Sequence, residues 1–170
     1  MFSFFWKRKK KKQKISEATA PGTGIRYHPE LVEELHQDHQ NLLNLFGEIQ
    51  KAHQARDYES LSRRMSEFSS EFRGHLLKEN VQLYTYLQHV LANDSENAAL
   101  MRDLRGEMHD ISKAVSRFVK KYAGNEEWDA TRHEQFGKEL EATGKVLTKR
   151  IQTEEKQLYP LYMPIEAYTA

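Results

Sequence analysis

Phe72-Arg73-Gly74-His75-Leu76-Leu77-Lys78-Glu79-Asn80-Val81-Gln82-Leu83-Tyr84 and Leu147-Thr148-Lys149-Arg150-Ile151-Gln152-Thr153-Glu154-Glu155-Lys156-Gln157-Leu158-Tyr159 share one frame. Each carries an apolar residue, a basic side chain three positions on, a glutamate four after that, and then a Leu-Tyr pair. On a helix, positions i and i+4 face the same way, so each copy aims a polar pair, His75/Glu79 or Arg150/Glu154, along an otherwise apolar face. A carboxylate turned into a core needs a counter-charge, a hydrogen bond or a metal. Which of these Glu79 and Glu154 have decides what the chain does.

Outward from these two copies the spacing stays helical. A first helix opening at His28-Pro29-Glu30 carries Leu31, Leu35, Leu42, Phe46 and Ile49, with His39 on the same stripe. The second follows Asp57 as its cap and carries Leu61, Met65, Phe68, Phe72, His75, Glu79, Leu83 and Tyr86. After a break at Asn93-Asp94-Ser95 the third carries Leu100, Leu104, Met108, Ile111, Val115, Phe118 and Tyr122. The fourth begins near Asp129, with Thr131 and Glu134 spaced as a capping box, and runs through Phe136, Leu140, Leu147, Ile151 and Leu158 toward Pro160. Four amphipathic helices with short connections predict an all-α, up-down-up-down antiparallel four-helix bundle over residues 28–163, followed by a short C-terminal tail, 164–170.

Composition bounds the chemistry. The chain of 170 residues has no cysteine, so disulfides, thiolate catalysis and cysteine-held metals are excluded, and any metal must sit on imidazole, carboxylate and water. No run of ~18 apolar residues offers a transmembrane helix. The net charge of +1 conceals an asymmetry: residues 1–14 hold seven of the 26 Lys and Arg and no acid. Without them 19 basic residues face 25 acidic ones, a body of charge −6. Residues 15–27, with Pro21, Gly22 and Gly24, read as a linker between this tail and the bundle. The tail opens Met1-Phe2-Ser3-Phe4-Phe5-Trp6 ahead of its basic run, the reverse of a secretory signal. Aromatics beside a polybasic run suit an anionic membrane surface, which predicts a cytoplasmic protein peripheral to the inner membrane. Nucleic acid is not expected, because the acidic body repels phosphate. No nucleophile with its base, phosphate loop or nucleotide fingerprint is present, so a hydrolase or transferase has no support and the chain is not expected to be an enzyme.

A histidine from the first helix and a His-x-x-x-Glu from the second are the parts from which helical bundles build non-haem iron sites. In Asp38-His39 with Leu42, in His75-Leu76-x-x-Glu79-x-x-x-Leu83-Tyr84 and in Ile151-x-x-Glu154-Glu155-x-x-Leu158-Tyr159-Pro160-Leu161-Tyr162, the chain resembles the hemerythrin-like (HHE) family over about residues 28–163. That resemblance implies iron, as one or two ions, on His39, His75, Glu79 and Glu154, and with it O₂ or nitric oxide chemistry. Two positions depart from the family pattern. The fourth-helix histidine falls on Arg150, whose guanidinium stays protonated and cannot ligate. The third-helix histidine aligns with Met108, leaving His109 ~100° off the inward stripe, from which a small helix rotation would bring it in. His36, one turn before His39, is a further substitute ligand. Losing a ligand at 150 while gaining a cation suggests an alternative, in which Arg150 compensates both glutamates and iron is absent. A shorter similarity, in Leu147-x-x-Arg150-Ile151-x-x-Glu154-Glu155-Lys156 with Gly74-His75, to the regulator of sigma D family of anti-sigma proteins implies a metal-free regulator with a protein partner. The expectation is therefore a degenerate iron site serving sensing or regulation rather than oxygen storage. The remaining histidines His28, His53, His89 and His133 lie near helix ends and read as solvated.

Overall fold

A computed structural model describes residues 19–168; the aromatic and polybasic residues 1–14 lie outside the described residues. Helix α1 spans Leu31–Gln54 and α2 Tyr58–Lys78. A π-helical stretch, Glu79–Tyr84, carries α2 without interruption into α3, Thr85–Val90. Helix α4 spans Ser95–Tyr122, and α5, Ala130–Thr153, passes through a second π-helical stretch, Glu154–Leu158, into a 3₁₀ turn, Tyr159–Leu161. Counting α2–α3 as one rod, the result is the expected bundle of four helices. Around it α1 packs on α2, α2 on α4, α4 on α5 and α5 on α1. Among the described residues no helix is long and apolar enough to cross a membrane.

Local chemistry sets the ends of the rods. The carboxylates of Asp57, Asp94 and Asp129 each accept the backbone N–H three residues on, capping α2, α4 and α5. Asp129 thereby displaces the expected Thr131/Glu134 capping box, and Glu134 pairs with Lys138 instead. Helix α1 ends in a Schellman turn, with Arg56 N–H donating to His53 O at 3.0 Å and Asp57 N–H to Ala52 O at 2.9 Å. Its left-handed position is held by Arg56, at φ 55°, where glycine is the usual occupant. Two glycines of α5 set its approach to α1. A Cβ at Gly144 would stand 2.7 Å from the Phe46 ring, and one at Gly137 2.8 Å from His53.

The core is divided in two. One cluster gathers Leu42, Phe46, Phe68, Phe72, Ile111, Phe118 and Phe136; the other gathers Leu31, Leu35, Leu83, Leu87, Leu104 and Leu158. Between them along the chain lie the buried polar side chains His39, His75, Glu79, Arg150 and Glu154. Part of the segment read as a linker belongs to this body: Ala20 is fully buried in the second cluster, Thr19 bridges Arg26, and Tyr27 stacks on Tyr162 at 4.8 Å. Apolar and aromatic residues among the turn formers explain why it packs rather than hangs free. His53 and His133, expected in solvent, stack on each other at 3.9 Å, and Tyr58 OH lies 3.1 Å from His133 Nδ1.

Candidate metal centre

Four side chains converge between the two apolar clusters. His39 comes from α1, His75 from the last turn of α2, and Glu79 and Glu154 each open a π-helical stretch. All four are buried, and one ligand-type atom from each lies within 4.8 Å of those of the others. The π geometry explains the Leu-Tyr pair that ends each copy of the frame. Widening the turn to i+5 spacing turns Tyr84 inward beneath Glu79 and Tyr159 beneath Glu154, alongside the leucines at i+4. The two tyrosines then cross over. Tyr159 OH donates to Glu79 Oε1 at 2.9 Å, and Arg150 Nη2 donates to Tyr84 OH at 3.0 Å. Each copy thus supplies the hydrogen bond that the polar residue of the other copy requires.

Both imidazoles are turned the same way. His39 Nδ1 meets Glu155 Oε1 at 2.8 Å and His75 Nδ1 faces Asp38 Oδ2 at 3.5 Å, while Lys78 holds that aspartate at 2.8 Å. Their Nε2 atoms point inward, 3.2 Å from Glu154 and 3.7 Å from Glu79 respectively. A carboxylate behind Nδ1 is what fixes the tautomer and orientation of metal-binding histidines.

Charge in the layer is settled one pair at a time. Arg150 Nε donates to Glu154 Oε1 at 2.6 Å, a buried ion pair. Burial would raise the Glu154 pKa, but the hydrogen bond from His39 and the charge of Arg150 outweigh it and hold the group ionised. Glu79 has no such partner: burial, and then the nearby Glu154 charge, push its pKa well above the carboxylate range. The guanidinium was expected to compensate both glutamates. Of the two glutamates it hydrogen-bonds Glu154 and only lowers the Glu79 pKa through its charge, while Glu79 takes the Tyr159 hydroxyl. His39 is raised, since hydrogen bonds to Glu154 and Glu155 overcome its burial, whereas burial drives His75 down to about 4. Glu79 Oε2 and Arg150 Nη1 are buried without a hydrogen-bond partner, although Nη1 stands 3.5 Å from the Glu107 carboxylate.

Of the other residues singled out in the sequence, Met108 is buried beside the layer and lines a cavity of ≈ 40 Å³ with His39, His75, Phe46, Phe72, Leu147 and Glu154. His109 is exposed on α4, outside the four-residue group. His36 is half-buried and joins His39 and Glu155 in a second, outer group, with its Nδ1 3.0 Å from Glu155 Oε1. Sequence reasoning missed Glu155 and Asp38 as the groups behind the imidazoles, because both look like ordinary helix-surface acids. Nor did it assign a role to Tyr84 and Tyr159, the tyrosines that end the two copies of the frame. Their i+5 spacing from a buried glutamate, repeated in both copies, was the available signal.

An antiparallel four-helix bundle with an interior group of two histidines and two glutamates, able to hold a metal ion, defines a class of bundle proteins built around a cation. The chain matches the hemerythrin HHE cation-binding domain over residues 30–162, and it belongs to that family. No curated protein and no solved structure gives a significant match. These comparisons lend no support to the shorter similarity with the regulator of sigma D family.

Proposed function

We propose that the layer holds a single iron ion on His39, His75, Glu79 and Glu154, and that the protein uses it for sensing or regulation rather than oxygen storage. The observation that carries this is the shared orientation of the two imidazoles, each with Nδ1 on an outer carboxylate and Nε2 turned toward the glutamates. The donor set fits one ion. Two imidazoles and two carboxylates match non-haem iron, and Glu79 Oε2 is a buried acceptor without a partner. It does not fit two ions, because the positions that would complete a second one carry the Arg150 guanidinium and the Met108 thioether. Bound there, iron would supply one-electron chemistry toward O₂ or nitric oxide. The chain's own part is to exclude water with Phe46, Phe72, Met108 and Leu147, and to offer beside the group a small cavity, ≈ 40 Å³, roomy enough for a water-sized or diatomic guest.

Anaerobic loading of the purified chain with ferrous iron, followed by metal analysis, tests this. One iron per chain, lost in His39→Ala and in Glu154→Ala, is the expected result. Two irons per chain would overturn the single-ion proposal, and no iron would leave the metal-free reading. That second reading has its own observation, the Arg150–Glu154 pair, which gives the layer a permanent cation without any metal and leaves function to a protein partner. Attachment to an anionic membrane through residues 1–14 is proposed from their sequence. Deleting them is expected to move the protein from the membrane to the soluble fraction.

A further inference from the structure

We infer that Phe46 is the gate on a route between α1 and α5, through which a small uncharged molecule of the diatomic gas class reaches the cavity beside the buried layer. The cavity has two kinds of wall. Toward the core it is closed by Phe68, Phe72, Met108 and Leu147, each at most 8 % exposed. Toward α1 and α5 it is lined by Leu43, Phe46, Gly144 and Thr148, and the same four residues line a groove of ≈ 520 Å³ on the outside of the bundle. Cavity and groove are therefore the two sides of one partition. Leu43 and Thr148 are its exposed members, and Phe46 is its largest and is buried.

The Phe46 ring is placed as a movable part of this partition. Its edge rests in the notch that Gly144 leaves in α5: a Cβ there would lie 2.7 Å from Cε1 and 3.0 Å from Cζ. No hydrogen bond holds a phenyl ring, and its contact with Phe68 is edge-on, with ring centres 5.9 Å apart. A turn out of the notch carries the ring toward the groove, which has room for it. Buried side chains change rotamer in this way without the helices parting. The partition itself is carbon from Leu43, Phe46 and Gly144, while the charged residues of the groove, Glu141, Lys145 and Lys149, are exposed. A passage of that kind rejects ions, which lose their hydration in it, and admits small apolar guests, which a dry apolar cavity binds without hydrogen bonds. A guest that has passed lies among His39, His75 and Glu154, which also line the cavity.

The inference rests on the proposed use of this cavity for a diatomic guest, but its test uses xenon and the metal-free chain, so it and the iron proposal fail separately. Measure xenon binding and exchange in the full-length protein by xenon NMR, and locate the gas by the methyl shifts of Leu42, Leu147 and Met108. One saturable site is expected, moving those methyls while Ile111, as buried as Leu147 in the same cluster and outside the cavity, stays put. Phe46→Leu should speed entry at least tenfold. Phe72→Leu makes the same change on the core side of the cavity, and should alter affinity while leaving the entry rate within twofold. At the exposed mouth, where folding is not at stake, Leu43→Trp should slow entry at least fivefold. Val146→Trp, at an exposed position of α5 outside the groove, should not. Circular dichroism checks that Phe46→Leu folds. The absence of a saturable xenon site, equal acceleration in the Phe46 and Phe72 variants, or wild-type entry in Leu43→Trp would each overturn the assignment.

Discussion

At the scale of single residues, the buried layer keeps its ionised groups in matched positions and its unmatched groups neutral. Arg150 is the permanent charge on which this rests. Arg150→Met would leave Glu154 ionised and stripped of its nearest cation, and removing one member of a buried pair costs about 3–5 kcal/mol. Urea unfolding of the metal-free protein should show a loss of that order. Arg150→His should instead raise iron capacity in the same loading assay, since imidazole can ligate where guanidinium cannot. His75 has a separate signature. Its folded pKa, about 4, lies below the ordinary 6.5, so the stability it contributes is whole above pH 6.5 and is lost as pH falls toward 4. Glu79 runs the other way: its folded pKa is raised, so its share is whole below the ordinary carboxylate pKa of 4.5 and declines as pH rises toward the folded value. The two slopes overlap, and only a variant separates them. The stability gap between the wild-type protein and His75→Gln should shrink by on the order of 3 kcal/mol between pH 7 and pH 4, measured by denaturant unfolding at each pH.

At the scale of elements, the rods are held apart or allowed together by a few small decisions. Arg56 occupies the left-handed position of the α1 Schellman turn, a conformation that disfavours a side chain by about 1 kcal/mol or more. Arg56→Gly should therefore raise the unfolding free energy by roughly that amount, visible as a higher urea midpoint with unchanged slope. Gly144 offers the opposite case. Alanine is the better helix former by about 1 kcal/mol, yet its Cβ would press on the buried Phe46 ring, so Gly144→Ala should lower the midpoint. The rods themselves were legible in the sequence, since Leu31 through Ile49 or Leu104 through Tyr122 recur at helical spacing and burial follows that spacing. Leu100 is an exception, only half-buried, with Ala98 and Met101 buried on either side of it. The π-helical turns left no mark on the 3.6-residue periodicity, only the repeated tyrosine five residues after each glutamate, and the charges of Asp38 and Glu155 gave no hint of which way each would lean.

At the scale of the whole molecule, a bundle whose two apolar clusters meet at a polar layer has its stability tied to whatever occupies that layer. A cation that binds the folded chain alone adds ~2.7 kcal/mol at one hundred times its dissociation constant. In a domain of this size that shifts the melting temperature by roughly 5–10 °C, so thermal scans with and without ferrous iron under anaerobic conditions should differ by about that much. The exchange of tyrosines between the two copies of the frame has a further meaning. The α1–α2 hairpin holds Tyr84 and Glu79, the α4–α5 hairpin holds Tyr159 and Arg150, and each hydroxyl serves the opposite hairpin. Neither half can close its own interior, in the way that two hands in a handshake grip only each other. Melting should then be a single event for both hairpins, with no half-assembled species between.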